Sequence, residues 1–487
     1  MAAIDKPPFL SAAATAARVR SGDISALEAT EAAIARIEAL DGAINAVVVR
    51  DFERARDAAR ALDRGRAPDD ERPLLGVPMT VKESYNVAGL PQTWGFPEHR
   101  DNRATSDSLA VSRLKAAGAV IVGKTNVPVA LADWQSHNPI YGLTHNPWDL
   151  ARSPGGSSGG SAAALAAGFV PLEIGSDIGG SIRVPAHFCG VFGHKPTYGI
   201  VPPQGHALPG VERTSDLSVC GPLARTASDL DLALGILAGP DADMAQGYRL
   251  ALPAPRHRAL KDFRILVVDE HPLVPTARVL RDAVARLADD LAGLGAAVGR
   301  SSSGLPDLAE AGRVYIQLLG AETNNRMPPD ARRRIEEAAA GLDPGDGSLK
   351  AIRLRNINLP HREWVALDDR RARIRRQWRE LFQDWDVVLS PPLSTPAFPH
   401  MLGIEQDDKR IVIDNQEITF VDQLVWPGVA TLAGLPATVA PNGLSPEGLP
   451  IGVQIMGAPF DDRTTIGFAA LIEREFGGFQ PPPDFAR

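Results

Sequence analysis

The chain has 487 residues, of which 44% are hydrophobic and 23% are charged, so it can bury a large core and has the composition of a soluble globular protein. Its net charge of −8 argues against a dedicated nucleic-acid-binding protein, because such proteins usually present a basic face. Its two cysteines, Cys189 and Cys220, form no Cys-x-x-Cys pair, which excludes a disulfide scaffold and a zinc site built from cysteines alone.

The sequence contains no evident targeting or membrane segment. It begins Met-Ala-Ala-Ile-Asp-Lys, without the apolar stretch of a signal peptide. No run reaches the roughly 18 apolar residues that a membrane-spanning helix needs. We therefore expect a cytoplasmic protein with no membrane partner. The oligomeric state is left open by the sequence, a homodimer included.

The first predicted elements are helices. Ser25 and Glu28 have the spacing of a capping box, and Leu27, Ile34 and Ile37 fall on one face of the helix that follows. Beyond a polar loop, short apolar strands alternate with helices, which predicts an α/β fold with a large sheet covered on both faces. The elements predicted there are a helix over 52–62, a strand over 75–81, a helix over 106–117, a strand over 119–122, a helix over 161–167, a strand over 169–174 and a helix over 228–237.

The second half continues the same pattern with more helix. We find no internal repeat and no long linker, so residues 1–487 are interpreted as one domain. The arginine-rich run from Arg370 to Arg379 is predicted to be a solvated helix face with local ion pairs, not a nucleic-acid site. The predicted elements are a strand over 265–269, a helix over 277–291, a mostly helical segment over 300–384, and strands over 387–389, 437–440 and 452–455.

Two short motifs match known sites but stand in the wrong context. The run from Gly118 to Thr125 fits the phosphate-binding loop pattern, yet that loop must follow a strand, and here its interior is itself a predicted strand. Ser157 stands in a Gly-x-Ser-x-Gly pattern, but a nucleophile elbow needs an apolar strand directly before it, and the preceding residues predict a loop. Neither nucleotide binding nor a Ser-His-Asp triad is expected.

Two glycine- and serine-rich segments lie close together in the sequence. One runs from Pro154 to Ser161, and the other runs from Asp177 to Ser181 after a predicted strand. Their glycines allow successive backbone N–H groups to turn toward one point, as in an oxyanion hole. By themselves, the second segment equally fits a turn with a capping serine, and the first fits a flexible linker, although it joins ordered-looking segments.

Lys82 is the third notable feature, because it ends an apolar strand. Burial there would penalise its charged form and lower its pKa, so that a neutral amine could act as a base near neutral pH. The alternative is a lysine that extends its amine from a sheet edge into water. A lysine and two serines are together sufficient for acyl-transfer chemistry.

Taken together, these segments resemble the amidase signature family. The similarity is dense over 74–239 and recurs more thinly over 385–472, and a joint match of this length is highly specific. Residues 241–384 match no pattern of the family and form a variable, helix-rich region that would help to shape the substrate pocket. The motifs are Gly76-Val77-Pro78 with Lys82, Asn146 to Asp149, Pro154 to Ser161, Asp177 to Arg183, Phe188 to Val191 and Lys195 to Gly199.

The resemblance implies a large mixed sheet wrapped by helices and a Ser-Ser-Lys triad. Ser181 would be the nucleophile that forms the acyl-enzyme. Ser157, placed after a cis peptide bond that follows Gly156, would relay the proton between Ser181 and Lys82. Lys82 would be the general base and later the acid that protonates the leaving amine.

The resemblance also implies the groups around the triad. Backbone N–H groups would form the oxyanion hole, and three further side chains would support the triad by hydrogen bonds. No metal ion and no cofactor are implied. The oxyanion-hole residues would be Ile178, Gly179 and Gly180, with Ser181, and the supporting residues would be Ser158, Asp177 and Arg183.

The implied reaction is hydrolysis of a small or aryl carboxylic amide, a carbon–nitrogen bond other than a peptide bond. Ester and carbamate cleavage are compatible with the same triad, since it does not discriminate among these carbonyl groups. Residues 214–222 differ from the corresponding run of glutamine-transamidating subunits, which favours a stand-alone hydrolase. Two alternatives stay open: a glutamine-hydrolysing subunit of a transamidase complex, and a non-catalytic binding protein, which the occupied triad positions disfavour.

Three aromatic residues are candidates for the acyl pocket. Trp94, Trp134 and Tyr141 precede the first glycine-serine segment. Aromatic side chains more often serve as plain packing, so that interpretation stands beside the functional one. The expected partner is a small-molecule amide, ester or carbamate.

Overall fold

The computed structural model describes residues 9–65, 67, 69–324 and 329–486. A mixed sheet of eleven strands forms its centre, and two small two-stranded sheets lie outside it. The β-strands are β1 Val47–Arg50, β2 Pro78–Lys82, β3 Val120–Thr125, β4 His137–Asn138, β5 Gly142–Leu143, β6 Leu172–Asp177, β7 Phe192–Lys195, β8 Val219–Ala224, β9 Arg264–Val267, β10 Ala297–Gly299, β11 Val387–Ser390, β12 Arg410–Ile413, β13 Gln416–Thr419, β14 Ala437–Leu444 and β15 Pro450–Met456.

Helices precede, connect and follow these strands. The longest is α12, with 24 residues. The helices are α1 Ala12–Ser21, α2 Ala26–Ile44, α3 Phe52–Arg64, α4 Leu109–Ala116, α5 Gly159–Ala166, α6 Arg183–Cys189, α7 Ala227–Leu237, α8 Arg278–Gly293, α9 Leu308–Thr323, α10 Pro329–Ala340, α11 Leu349–Arg355, α12 His361–Asp384, α13 Val425–Ala433 and α14 Asp462–Phe476.

The large sheet has the strand order β1-β3-β2-β6-β8-β7-β14-β15-β11-β9-β10. Strands β3, β2 and β6 run parallel, as do β11, β9 and β10, and the strands between them pair antiparallel. Successive residues of β3 alternate between two buried clusters, with Ile121 in one and Val120 and Val122 in the other. The clusters therefore lie on opposite faces of the sheet. This confirms the predicted α/β class.

The predicted elements are present, with shifts at their ends. The capping box of Ser25 and Glu28 is formed. The strand predicted over 75–81 begins only at Pro78, because Gly76 adopts a φ of +70° in a turn and a Cβ there would lie 2.8 Å from that of Ala26. The helix predicted over 106–117 begins at Leu109, where Ser108 caps it.

Neither the run from Gly118 to Thr125 nor the pattern around Ser157 has the local structure that its motif requires. Strand β3 contains most of the run that resembles a phosphate-binding loop, and Lys124 is buried and donates to the carbonyl oxygen of Pro91. Ser157 follows a loop with no strand directly before it in the described chain. These positions therefore provide neither a phosphate cradle nor a nucleophile elbow.

The arginine-rich part of α12 is only partly a solvated face. Arg371 is buried, and it pairs with Asp216 at 2.8 Å and with Asp368 at 2.5 Å. It shares the inward side of the helix with Ile374 and Trp378. The predicted solvated face with local ion pairs is present at Arg376, which is exposed and lies 3.9 Å from Glu380. The prediction was wrong for Arg371, because its partner Asp216 lies in a distant loop. None of the described helices has the length and apolarity needed to cross a bilayer.

Candidate active site

Lys82 lies at the carboxyl edge of the parallel part of the sheet. It pairs with Thr125 at the end of β3, and β6 runs parallel to β2 on the other side. The carboxyl ends of parallel strands meet at one edge, which is where α/β proteins usually bind ligands. The Lys82 side chain is fully buried, and its Nζ donates to Ser157 Oγ at 2.7 Å and to Ser176 Oγ at 2.9 Å.

Burial decides the charge of this amine. It lowers the pKa of Lys82 to about 7, although the carboxylates of Asp177 and Glu173 oppose the shift. A substantial fraction of the amine is therefore neutral at neutral pH. The sequence predicted that burial at the strand end would lower the pKa of this lysine, and Lys82 is indeed buried at the end of β2. The alternative of an amine extended into water is wrong.

Ser157 lies in the tight loop before α5. The peptide bond between Gly156 and Ser157 is cis, as the family resemblance predicted. A Cβ atom at Gly156 would lie 2.2 Å from the carbonyl oxygen of Asp133, so only glycine fits at this position. The Ser157 side chain is 1% exposed and points to Lys82.

Ser181 lies between β6 and α6. The backbone N–H of Ser158 donates to the carbonyl oxygen of Ser181 at 3.1 Å, which joins the two glycine-serine segments in space. Ser181 is 6% exposed. The structure thus brings Lys82, Ser157 and Ser181 to one edge of the sheet. The Ser158 hydroxyl makes only a long contact of 3.5 Å to the carbonyl oxygen of Ser176.

A buried ion pair holds the loop that carries Ser181. Asp177 accepts from Arg183 at 2.8 Å and from the backbone N–H groups of Gly180 and Ile182 at 3.0 and 3.1 Å. Burial alone would raise the pKa of Asp177, but the charge and hydrogen bonds of Arg183 outweigh it and lower the pKa to about 2. The carboxylate is therefore charged at every pH at which the protein would work.

Arg183 connects this loop to the distant end of the chain. Its guanidinium donates to Gln454 Oε1 at 2.7 Å, to Thr431 Oγ1 at 2.9 Å and to the carbonyl oxygen of Pro427 at 3.0 Å. The five N–H groups of a guanidinium suit such a multidentate role. Asp177 and Arg183, both predicted as supporting residues, are thus the structural centre of the loop.

Two aromatic side chains orient the peptide planes of the predicted oxyanion hole. Trp134 Nε1 donates to the carbonyl oxygen of Gly179 at 3.0 Å, and Tyr315 donates its hydroxyl to that of Ile178 at 2.8 Å. Because each peptide group is planar, fixing these two carbonyls also fixes the N–H groups of Gly179 and Gly180. The N–H of Gly180 is engaged with Asp177 Oδ1 at 3.0 Å, so a bound oxyanion would have to share it.

The other two candidate pocket aromatics lie beside Glu83, the neighbour of Lys82. The backbone N–H of Trp94 donates to Glu83 at 3.0 Å, and the Tyr141 hydroxyl lies 3.3 Å from the same carboxylate. Both side chains are partly exposed, whereas Trp134 is buried. Their place next to the Lys82 strand keeps the acyl-pocket interpretation open.

Sequence reasoning missed three site residues. Ser176 binds the lysine amine, and Tyr315 and Gln454 hold the Ser181 loop. Ser176 directly precedes the segment from Asp177 to Ser181, so its position was a usable signal. The other two are 137 residues from Ile178 and 271 residues from Arg183, and no local pattern marks them.

The described residues contain no group of three or more histidine, cysteine or acidic side chains arranged to hold a metal ion.

A family model described as Amidase matches residues 28–466. The chain belongs to the amidase signature family. Its members that resemble this chain carry several different names.

Among curated amidase signature relatives, a glutamyl-tRNA(Gln) amidotransferase subunit of Roseiflexus castenholzii is 36% identical over 474 residues, covering 93% of each chain. The human fatty-acid amide hydrolase 2 is 31% identical, covering 98% of this chain and 91% of that protein. A solved bacterial aryl acylamidase superposes with a TM-score of 0.81 at 27% identity, covering 98% of both chains. Similarity thus establishes the family and leaves the substrate open.

Proposed function

We propose that this amidase signature protein hydrolyses small or aryl carboxylic amides through an acyl-enzyme, using Lys82, Ser157 and Ser181 as its triad. The observation that carries the proposal is the 2.7 Å hydrogen bond between the buried Lys82 Nζ and Ser157 Oγ, in a loop bonded to Ser181. A pKa of about 7 makes this amine available as a base near neutral pH.

The proton moves in two directions during the reaction. In the first step the Ser181 oxygen attacks the amide carbon, its proton passes to Ser157, and the proton of Ser157 passes to the neutral amine of Lys82. The tetrahedral intermediate then breaks its carbon–nitrogen bond. The Lys82 ammonium returns a proton through Ser157 to the leaving amine, and water hydrolyses the acyl-Ser181 ester by the same relay.

The oxyanion would be stabilised by the backbone N–H groups of Ile178, Gly179, Gly180 and Ser181. One such donor supplies roughly 3 kcal/mol of transition-state stabilisation in known hydrolases. Asp177 and Arg183 support this proposal because they hold the loop in one conformation before the substrate arrives. Preorganised donors need no rearrangement when charge develops.

The same triad would accept an ester or a carbamate, since only the group beside the carbonyl differs. The preference for linear amides is therefore part of the proposal and needs its own test. Both cysteines are free and buried, which supports a reaction in the cytoplasm. The expected partner is the small-molecule substrate.

The deciding experiment assays Ser181→Ala on a panel of anilides, primary amides, p-nitrophenyl esters and carbamates. We expect kcat/KM to fall by at least about 10³-fold on every substrate that the wild type cleaves. Ser112→Ala, at an exposed serine on α4, is the matched control and should retain full activity. Retained turnover in Ser181→Ala would overturn the mechanism.

The alternative is a glutamine-hydrolysing subunit of a transamidase complex, and the 36% identity to a glutamyl-tRNA(Gln) amidotransferase subunit favours it. It predicts glutaminase activity and a stable partner in pull-downs. Full activity of the purified single chain on a simple amide would count against it. The departure of residues 214–222 from the transamidase pattern favours the stand-alone hydrolase.

A further inference from the structure

Besides Asp177, a second buried carboxyl group lies near α5, the helix that follows the loop of Ser157. Glu173 on β6 is 1% exposed, and its carboxylate accepts from Thr125 Oγ1 at 3.0 Å and from the backbone N–H of Ile174 at 2.9 Å. The hydroxyl of Ser161, on α5, lies 2.9 Å from Thr125 Oγ1. The proposed mechanism does not use this carboxyl group, and a carboxyl in such a place is rare.

Glu173 and Lys82 face the same side of the sheet. Strands β2 and β6 are parallel neighbours, and alternate residues of a strand face opposite sides. Val81 and Ile174 both pack in one core cluster, so their chain neighbours Lys82 and Glu173 project to the other side, toward α5. Burial on this side leaves little water between the two groups to screen their interaction.

The carboxyl group is held by hydrogen-bond donors and not by a cation. Its carboxylate accepts hydrogen bonds from the hydroxyl of Thr125 and from the N–H of Ile174. Within the described part of the chain, no arginine, lysine or histidine forms an ion pair with Glu173. Asp177 in contrast is already paired with Arg183 at 2.8 Å.

We propose that Glu173 is a positioning residue for the amide hydrolysis: its carboxylate, on the strand next to that of Lys82, favours the ammonium form and so raises the pH at which the amine becomes free to serve as the base. This inference rests on the proposed role of Lys82. It is independent of which amide, ester or carbamate is the substrate.

The charge of Glu173 can change in the working pH range. Burial raises its pKa to about 7, against the opposing effect of its hydrogen bonds. The pKa of Lys82 is about 7 as well, and Glu173 is among the groups that raise it. The two groups therefore titrate together, and the carboxylate favours the protonated amine wherever it is ionised.

Four other titratable groups around these two residues keep their charge state near pH 7. Burial raises the pKa of the Cys220 thiol to about 11 and raises that of the Tyr85 hydroxyl, so both stay neutral. Burial and the charge of Lys82 lower the pKa of His206 to about 3, which keeps its ring neutral. Asp177 stays ionised, with a pKa of about 2. Of the acidic groups that act on Lys82, Glu173 is thus the one that titrates near pH 7.

The test compares the pH dependence of kcat/KM for wild type, Glu173→Gln and Glu173→Asp. The glutamine removes the charge and keeps the shape, so the acid limb of the profile should move to lower pH by at least about half a pH unit. Glu173→Asp keeps a carboxylate, and its acid limb should stay close to that of the wild type. A merely structural role would lower activity at all pH values without moving the limb.

Glu473→Gln is the matched control. Burial also raises the pKa of Glu473 to about 7, but this residue lies on α14 and accepts from the N–H of Ala227, away from Lys82. Its acid limb should coincide with that of the wild type. An unmoved limb in Glu173→Gln, or an equal shift in Glu473→Gln, would overturn the inference.

Thr125→Val provides a second variant if Glu173→Gln does not fold. Loss of the hydroxyl donor makes Glu173 harder to ionise, so the limb should again move to lower pH, by a smaller amount. A limb that stays in place or moves to higher pH would contradict the proposal.

Lys82→Met separates this inference from the proposed function. Turnover that persists in Lys82→Met would reject the triad itself. If Lys82→Met is inactive and the acid limb of Glu173→Gln does not move, only the role of Glu173 is rejected.

Discussion

The segment from β6 to β7 and the segment from α9 to α12 differ in how deeply their residues are buried and in where their charges are paired. Every residue from Leu172 to Lys195 is buried except Ile178, and the charges there are satisfied inside the protein. Helix α10, in contrast, has no buried residue, and its Arg333 pairs with Asp330 in a largely exposed contact. The first segment can hold reacting groups in one geometry, whereas α10 can change its surface without disturbing them.

A hydrogen bond joins the two segments. Tyr315 of α9 is buried and donates to the carbonyl oxygen of Ile178, the partly exposed residue of the otherwise buried loop. This contact fits the predicted substrate-shaping role of residues 241–384. Variants on the two sides of this contact measure how far the segments are independent.

The largest effect is expected for Arg183→Met, measured as the free energy of unfolding in urea. The variant leaves the Asp177 carboxylate buried without its cation, and breaking a buried pair in this way typically costs about 3–5 kcal/mol. A loss below about 1 kcal/mol would mean that the buried segment tolerates change as well as the helical one does.

The pH profile of kcat/KM should also reflect the buried segment. The amine of Lys82 must be neutral to act as a base, and with a pKa of about 7 its neutral fraction rises about tenfold between pH 6 and pH 8. We expect kcat/KM to rise by about the same factor and then level off. A profile that is flat from pH 6 to 9 would contradict a rate-determining role for this amine.

Tyr315→Phe tests the contact between the segments. It removes one hydrogen bond to the loop, worth about 0.5–1.5 kcal/mol, so kcat/KM should fall roughly three- to tenfold with the fold intact. Tyr248→Phe, at a tyrosine that is 51% exposed, is the control and should leave kcat/KM unchanged. Equal behaviour of the two variants would mean that α9 does not influence the loop.

The smallest effect is expected for Arg333→Ala on α10. Exposed ion pairs contribute little, so the free energy of unfolding should change by no more than about 0.5 kcal/mol and kcat/KM should stay the same. A substantial loss of activity would show that this surface takes part in the reaction or in binding.

Local sequence patterns were sufficient for the parts of the site that depend on neighbours in the chain. The strand-end position of Lys82 and the two glycine-serine segments follow from short motifs, and their roles came from the family resemblance. The buried orientation of Arg371 and the contact of Tyr315 could not be predicted, because each depends on a partner more than 100 residues away. The late start of β2 follows from the packing of Gly76 against α2. The alternation of apolar residues in the sequence does not reveal this contact either.

The partners of Arg183 are synthesised long after the loop that they hold in place. Its guanidinium binds Pro427, Thr431 and Gln454, the last of which lies in β15 and emerges from the ribosome some 270 residues later. Contacts of such long sequence separation are slow to form, because the chain between the partners must first be closed into a loop. During synthesis, Ser181 therefore leaves the ribosome long before the residues that hold its loop in place. Fragments that end before β15 should be catalytically inactive.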